Sequence, residues 1–136
     1  RDTLRTEMGY PLHGHELSLE ITPVEASAGW AVGWKKDSFI GSEKLTSQKE
    51  NGPSRKSYAL KSLDRGIPRA GMAVKNLAGD VVGEITSGTF SPTLKHGIGL
   101  ALLQSDVALV RPCHRCRGRD SQCEVVKLPF VTSHVR

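Results

Sequence analysis

Residues 83–92 read GEITSGTFSP and follow two valines in the middle of the chain. Side chains here alternate between two faces, with Val82, Glu84 and Thr86 on one and Val81, Gly83 and Ile85 on the other. A period of two predicts a β-strand. Gly88 is expected to allow a turn with positive φ, Phe90 to plug a barrel, and Pro92 to end the bend.

The hydroxyls of this segment do not form a recognisable catalytic site. Ser87 and Thr89 have no base nearby in the sequence, and the segment lacks the G-x-S-x-G turn of a nucleophile elbow. Such hydroxyls commonly bond the backbone of a turn. We therefore interpret the segment as architecture rather than as an active site.

The same period of two recurs on both sides of this segment. Six short runs from Ser57 onward predict strands separated by turns, namely SYALKSL, GMAVKNL, VVGEITSG, GIGLALL, VALV and CEVVKLPFV. Six short strands with no helical window favour a small antiparallel barrel or sandwich. The fold is therefore predicted to be mainly β.

The first fifty residues have a different pattern. A short helix is predicted around Leu4 and Met8, a strand at GWAVGW (residues 29–34), and a second helix starting between Asp37 and Ser42 and stopping at Asn51. The polar stretch ENGPSRK, residues 50–56, is a plausible linker. We expect two units, residues 1–52 and residues 53–136, the first being the end of another domain.

Composition sets broad limits on function. The chain has 136 residues, with 19 Lys and Arg against 14 Asp and Glu, and the resulting charge of +5 allows anionic partners without requiring one. It contains no apolar run of about 18 residues, so no membrane span is expected. The three cysteines and the absence of a signal peptide favour reduced thiols in an intracellular compartment. The start at Arg1, without methionine, suggests a fragment.

The cysteine cluster raises the question of zinc. Cys113, His114 and Cys116 lie close together and Cys123 follows seven residues later. Structural zinc sites usually pair two C-x2-C knuckles, and alternation in a strand would point neighbouring ligands to opposite faces. We therefore predict no metal site.

A basic stretch surrounds these cysteines. It contains Arg111, Arg115, Arg117 and Arg119, which could neutralise phosphates. It lacks the interleaved aromatic residues of a single-strand binding platform. A solvated hairpin with RGRD at its tip is the preferred interpretation, and no nucleic-acid partner is predicted.

Other titratable residues give no clear site. His13 and His15 flank Gly14 and could shuttle protons, although a histidine on a loop is more often simply exposed. The carboxylates in the first unit are scattered without an identifiable pair, at positions Glu7, Glu16, Glu20 and Glu25.

Five blocks together resemble the C-terminal third of the glycine cleavage system T protein family. They are RDTLRTEMGYPLHGHELSLEITPVEA, DSFIGSEKL, DRGIPRAGMAV, GEITSGTFSPTLKHGIGLALL and VVKLPFV. The resemblance implies a six-stranded antiparallel barrel preceded by a mixed α/β remnant of a folate-binding domain. It also implies a tetrahydrofolate-dependent aminomethyltransferase whose partner is the lipoylated H protein.

The resemblance further implies where the site residues lie. The catalytic aspartate of the family belongs to the missing N-terminal part, so no catalytic residue is expected in this chain. The arginine of the family's ARD segment, which contacts folate, corresponds to Arg1. Its guanidinium suits a planar, oxygen-rich anionic ligand. His13 replaces the tyrosine that the family usually has in its LYG motif.

Several alternatives remain open at this stage. A folate-dependent demethylase, or a domain of a dimethylglycine or sarcosine oxidase, would share the fold and the folate site. A non-catalytic binding module is the alternative from another class. The expected location is the bacterial cytoplasm, with the mitochondrial matrix second, and the isolated fragment is expected to be inactive.

Overall fold

A computed structural model describes residues 1–105, 113–116 and 119–132. For residues 113–116 and 119–120 only the backbone is described. Two helices lie in the first unit, α1 (Asp2–Met8) and α2 (Ser42–Asn51). The strands are β1 (Arg55–Ser62), β2 (Ala73–Lys75), β3 (Val81–Ser91), β4 (His96–Gln104), β5 (Cys113–Cys116) and β6 (Arg119–Val126).

The six strands form a closed barrel in the order β1-β4-β3-β2-β5-β6. Every neighbouring pair is antiparallel, and β6 closes the ring by pairing with β1. The predicted mainly β, six-stranded antiparallel barrel is confirmed. Of the predicted strands, VALV (residues 107–110) lies outside the described residues. The strand Cys113–Cys116 was not predicted.

Strand β4 is buried on both faces, which explains its continuous apolar sequence GIGLALL. Ala101 and Leu103 belong to the barrel core together with Leu60, Val74, Val82, Ile85 and Cys123. Ile98 and Leu100 alternate with them and therefore point away from that core, yet both are buried. Helix α1 contacts β3 and β4, so the first unit covers this outer face of the barrel.

The barrel is closed at one end by Pro68 rather than by Phe90. Phe90 is 45% exposed, so the prediction that it plugs the barrel is wrong. Pro68 is fully buried and lies against three strand glycines, Gly88, Gly97 and Gly99. Gly88 does not make a turn, because β3 continues through it and pairs it with Gly99. Its lack of a side chain instead permits close approach of the Pro68 backbone.

The first unit contains helices and turns but no strand in residues 1–52, all of which the structure describes. The strand predicted at residues 29–34 is wrong. Gly29–Ala31 form a 3₁₀ turn, and the Trp34 indole N–H donates to the Gly29 carbonyl across 2.7 Å, which folds the segment back on itself. Both predicted helices are confirmed, and α2 ends at Asn51 immediately before Gly52.

Candidate functional site

Helix α1 packs on the outside of β3 and carries Arg1 at its N-terminal end. The Arg1 side chain is exposed, and its carbonyl accepts the Arg5 backbone N–H at 3.1 Å. Gly9 ends the helix, its N–H donating to the Thr6 carbonyl at 2.9 Å. Arg1, the predicted ligand contact, therefore lies immediately before a two-turn helix that packs against the barrel.

Three alternating hydroxyl residues on β3, Ser87, Thr89 and Ser91, bond side chains of α1, and we call them the hydroxyl track. The Arg5 guanidinium donates to Ser87 Oγ at 2.8 Å. The hydroxyl oxygens of Thr3 and Thr89 lie 3.2 Å apart. Ser91 donates to the Glu7 carboxylate at 2.5 Å. Residues at i, i+2 and i+4 share one face of a strand, so the track presents three hydroxyls in a row to the helix.

A buried ion pair lies beside the hydroxyl track. Arg5 Nη1 is 2.7 Å from Glu16 Oε2, and the two side chains are 12% and 1% exposed. Glu16 also accepts the Leu12 backbone N–H at 3.0 Å and the Thr86 hydroxyl at 2.7 Å. Each carboxylate oxygen of Glu16 therefore has a donor, which is the condition under which a charge is tolerated in a protein interior.

A β-bulge brings Thr86 into this network. The register between β3 and β4 shifts between Ile85 and Ser87, so Thr86 has no partner residue of its own in that pairing. Bulges commonly redirect a side chain. The Thr86 hydroxyl lies 2.7 Å from Glu16 Oε1 and 3.0 Å from the Leu100 carbonyl, and its own carbonyl is 3.0 Å from His15 Nδ1.

A second ion pair joins the first unit to β1. Arg55 Nε lies 3.0 Å from Glu25 Oε1, and the Ser57 backbone N–H donates to the Glu25 carbonyl at 2.7 Å. Burial raises the pKa of the Glu25 carboxyl. The Thr22 backbone N–H, the Arg55 guanidinium and the Thr22 hydroxyl lower the pKa by more, so it lies below its ordinary value of 4.5.

This lowered pKa predicts acid-sensitive stability. A carboxyl with a lower pKa in the folded state stabilises the fold above its unfolded pKa, and that contribution is lost as pH falls through the folded pKa. We expect Glu25→Gln to be less stable than the wild type at pH 7, with the difference shrinking below about pH 4.5. Urea unfolding at a series of pH values measures it. A difference that stays constant down to pH 3 would contradict the assignment, and Glu20→Gln, at an exposed position, is the control.

One cavity lies at the contact between the units and another lies on the barrel. One of about 280 Å³ lies between the first unit and the barrel, with Met8, Tyr10, Ala26, Trp30, Leu100 and Leu128 in its lining. The other, about 430 Å³, lies over the barrel surface near Arg55 and Glu84. Tyr10 and Trp30 are largely exposed although they line the first cavity, so that cavity opens on an apolar surface.

The remaining predicted candidates are dispersed. His13 is exposed on a turn, where it forms an isolated bridge with Leu17. Cys123 lies in the barrel core, and the side chains of Cys113, His114 and Cys116 fall outside the described residues. Within the described residues, no group of three or more His, Cys, Asp or Glu side chains could hold a metal ion. The predicted basic hairpin exists as a backbone pairing of β5 with β6.

Sequence reasoning missed the network around Glu16. In the sequence Glu7, Glu16 and Glu25 are scattered carboxylates, whereas in the structure each is buried with a specific partner. The hydroxyls of Ser87 and Thr89 were expected to bond a turn and instead bond α1. The local signal is limited to the spacing of Ser87, Thr89 and Ser91, which places three hydroxyls on one face of the strand.

Among the residues that the structure describes, no helix is long and apolar enough to cross a membrane.

The six antiparallel strands between Arg55 and Val126 define a small closed β-barrel domain. The family described as glycine cleavage T-protein C-terminal barrel domain matches residues 55–132. The chain therefore belongs to the glycine cleavage T-protein family.

Similar full-length proteins extend this result over the whole chain. The aminomethyltransferase of Parafrankia sp. (strain EAN1pec) is 56% identical over 137 residues, covering 100% of this chain and 38% of the relative. Those of Mycobacterium avium and Mycobacterium tuberculosis are 55% and 54% identical, with the same coverage. The chain thus spans about two fifths of the length of the curated relatives that it matches.

A solved structure supports the same assignment. The crystal structure of glycine cleavage system aminomethyltransferase T from Bartonella henselae matches with a TM-score of 0.86 and 31% identity. The match covers 96% of this chain and 37% of that chain. It therefore includes the first unit as well as the barrel.

Proposed function

We propose that this chain is the C-terminal part of an aminomethyltransferase of the glycine cleavage system. Residues 1–52 would be the end of the folate-binding body and residues 53–136 the barrel domain. Two observations support this division: the family match begins at residue 55, and β1 begins at Arg55. The main support for the proposed function is the similarity of the full chain to aminomethyltransferases.

The proposed reaction moves the methylene carbon of the aminomethyl-lipoyl group of the H protein onto tetrahydrofolate and releases ammonia. Enzymes of this kind gain rate by holding two reactants in the right geometry.

The names of the relatives favour aminomethyl transfer over the demethylase and oxidase alternatives and over a non-catalytic module. The relatives come from bacteria, which supports a bacterial cytoplasmic location.

The first unit exposes apolar side chains of the kind that pack against a larger body. Leu4, Leu19, Trp30 and Ile40 are all largely exposed, whereas the buried apolar residues of this unit are alanines. The proposal places these side chains against the body of the enzyme, where they would be covered. The match to a C-terminal barrel domain supports placing the catalytic aspartate and most pterin contacts in the part of the relatives that this chain does not cover.

Arg1 is the residue of this chain that we assign to the folate. Its guanidinium is exposed at the start of α1 and carries a permanent positive charge suited to carboxylate or carbonyl oxygens. The helix behind it is fixed on the barrel by the hydroxyl track and the Arg5 to Glu16 pair. The residue type, the exposure and the anchoring fit a ligand contact.

A full-length chimera tests the function. In it, this chain replaces the matching 38% of the Parafrankia aminomethyltransferase. We expect the chimera to release ammonia from aminomethylated H protein at a rate that depends on tetrahydrofolate concentration. A chimera that folds, binds H protein and yet shows no folate-dependent release would contradict the proposal.

Replacing Arg1 in the chimera tests the ligand contact. Loss of a hydrogen bond to a charged group costs about 1.5–3 kcal/mol, so Arg1→Ala should raise the KM for tetrahydrofolate about tenfold or more. Steady-state kinetics with saturating H protein measure it. Arg65→Ala removes an exposed arginine elsewhere and is the control. An unchanged KM in Arg1→Ala would remove Arg1 from the site.

A further inference from the structure

We propose that the hydroxyl track of Ser87, Thr89 and Ser91 is a positioning device that fixes the start of helix α1, where Arg1 lies, for binding of the folate. This inference rests on the proposed function, because it assigns the track a role in the site that Arg1 serves. The track lies on the barrel, so it would make the barrel a contributor to ligand binding without contacting the ligand itself. Its residues are therefore positioning residues and not catalytic ones.

Helix α1 depends on outside contacts for its orientation. It has only seven residues, and a helix of that length is not stable by itself in water. Three side chains spread along the helix, at Thr3, Arg5 and Glu7, each meet one residue of the track. Contacts at three points define both the rotation and the direction of the helix on the strand.

Hydrogen bonds connect Arg5 and Thr6 directly to the first turn of α1. Arg5 Nε lies 3.2 Å from Asp2 Oδ1, and the Arg5 backbone N–H donates to the Arg1 carbonyl. The Thr6 hydroxyl donates to the Asp2 carbonyl at 2.7 Å. Arg1 is therefore one hydrogen bond away from a residue whose guanidinium is held by Ser87 and Glu16.

Hydrogen bonds suit this role better than apolar packing would. They weaken steeply when distance or angle departs from a narrow range, so they fix register, whereas apolar contacts are non-directional. A shift of β3 by one residue would turn all three hydroxyls away from α1. The bulge at Thr86 sets that register at the start of the track.

Thr89 offers the cleanest test because it is the least buried residue of the three. In the full-length chimera, Thr89→Val removes the hydroxyl and keeps the shape, whereas Thr89→Ser keeps the hydroxyl. Thr46→Val, on the exposed face of α2, is the matched control. We expect Thr89→Val to raise the KM for tetrahydrofolate about two- to tenfold, the size of one neutral hydrogen bond, with kcat nearly unchanged. Thr89→Ser and Thr46→Val should behave like the parent.

A double-mutant cycle with Arg1→Ala separates the two proposals. If the track acts through Arg1, Thr89→Val has no further effect on KM in the Arg1→Ala background. If Arg1→Ala raises KM and Thr89→Val does not, the positioning inference is overturned and the ligand contact stands. An equal rise from Thr89→Val in both backgrounds also overturns the inference, since the track would then act by another route. An unchanged KM in Arg1→Ala alone overturns the ligand contact itself.

A stability measurement distinguishes positioning from a general loss of folding stability that would also raise KM. The melting temperature of each variant is recorded beside its KM. Should Thr89→Val unfold the chimera at assay temperature, Ser87→Ala replaces it, because Glu16 still holds Arg5 in that variant. A lower melting temperature with an unchanged KM in both variants counts against positioning.

Discussion

Glu16→Ala is expected to lower the free energy of unfolding of the 136-residue chain by about 3–5 kcal/mol. The substitution leaves the Arg5 guanidinium, 12% exposed, without its buried carboxylate partner, and only the exposed Asp2 carboxylate remains beside it. It also removes the side-chain acceptor of the Leu12 backbone N–H and one of the two acceptors of the Thr86 hydroxyl, which keeps the Leu100 carbonyl. A buried donor without an acceptor is costly, and a loss of this size is a large share of a domain's total stability. Urea or guanidinium unfolding measures it.

Two further variants separate the ion pair from general effects of substitution. Glu20→Ala changes an exposed carboxylate nearby and should stay within about 0.5 kcal/mol of the wild type. Arg5→Met combined with Glu16→Leu replaces both charges with apolar groups and should be less destabilised than Glu16→Ala alone. A change below about 0.5 kcal/mol for Glu16→Ala would show that the pair does not hold α1 to the barrel.

Gly88→Ala is expected to destabilise the barrel by about 1–3 kcal/mol or more. A Cβ at Gly88 would lie 2.5 Å from the carbonyl carbon of Pro68, and backbone yields less easily than the end of a side chain. Pro68 is itself buried against Gly99, so it cannot retreat into the barrel. The expected result is a lower denaturant midpoint with displaced signals for residues 66–68 in NMR spectra.

The control for this prediction is Gly29→Ala. Gly29 has ordinary backbone geometry, and a Cβ there would meet only the Trp34 ring at 3.8 Å, an ordinary contact. Its stability should change little. If Gly88→Ala proves as stable as Gly29→Ala, Pro68 does not close the barrel in the way described.

The barrel could be predicted from the sequence because its strands carry strong local signals. The strand at β3 is confirmed, although Val82 and Ile85, which were predicted on opposite faces, both lie in the barrel core. The continuous apolar run of β4 follows from burial on both faces. The helix α2 could be predicted from its stop at Asn51 and Gly52. The T-protein family could be predicted because five sequence blocks occur in the expected order.

The network between the units could not be predicted because its partners are far apart in the sequence. Arg5 and Ser87 are separated by 82 positions, and Glu16 and Thr86 by 70. The bulge at Thr86 breaks the simple alternation that the strand prediction assumed. The prediction for Phe90 failed for a related reason, because the residue that fills a barrel end depends on the path of a distant loop, here the one that carries Pro68.

Ammonia release from aminomethylated H protein, compared between the isolated 136-residue chain and the full-length chimera, addresses the central claim most directly. Our account predicts folate-dependent release by the chimera and none above background by the chain alone, because the residues that carry the chemistry would lie in the part that this chain does not supply. Turnover by the isolated chain would contradict the account, since a barrel and a docked helix would then suffice for catalysis.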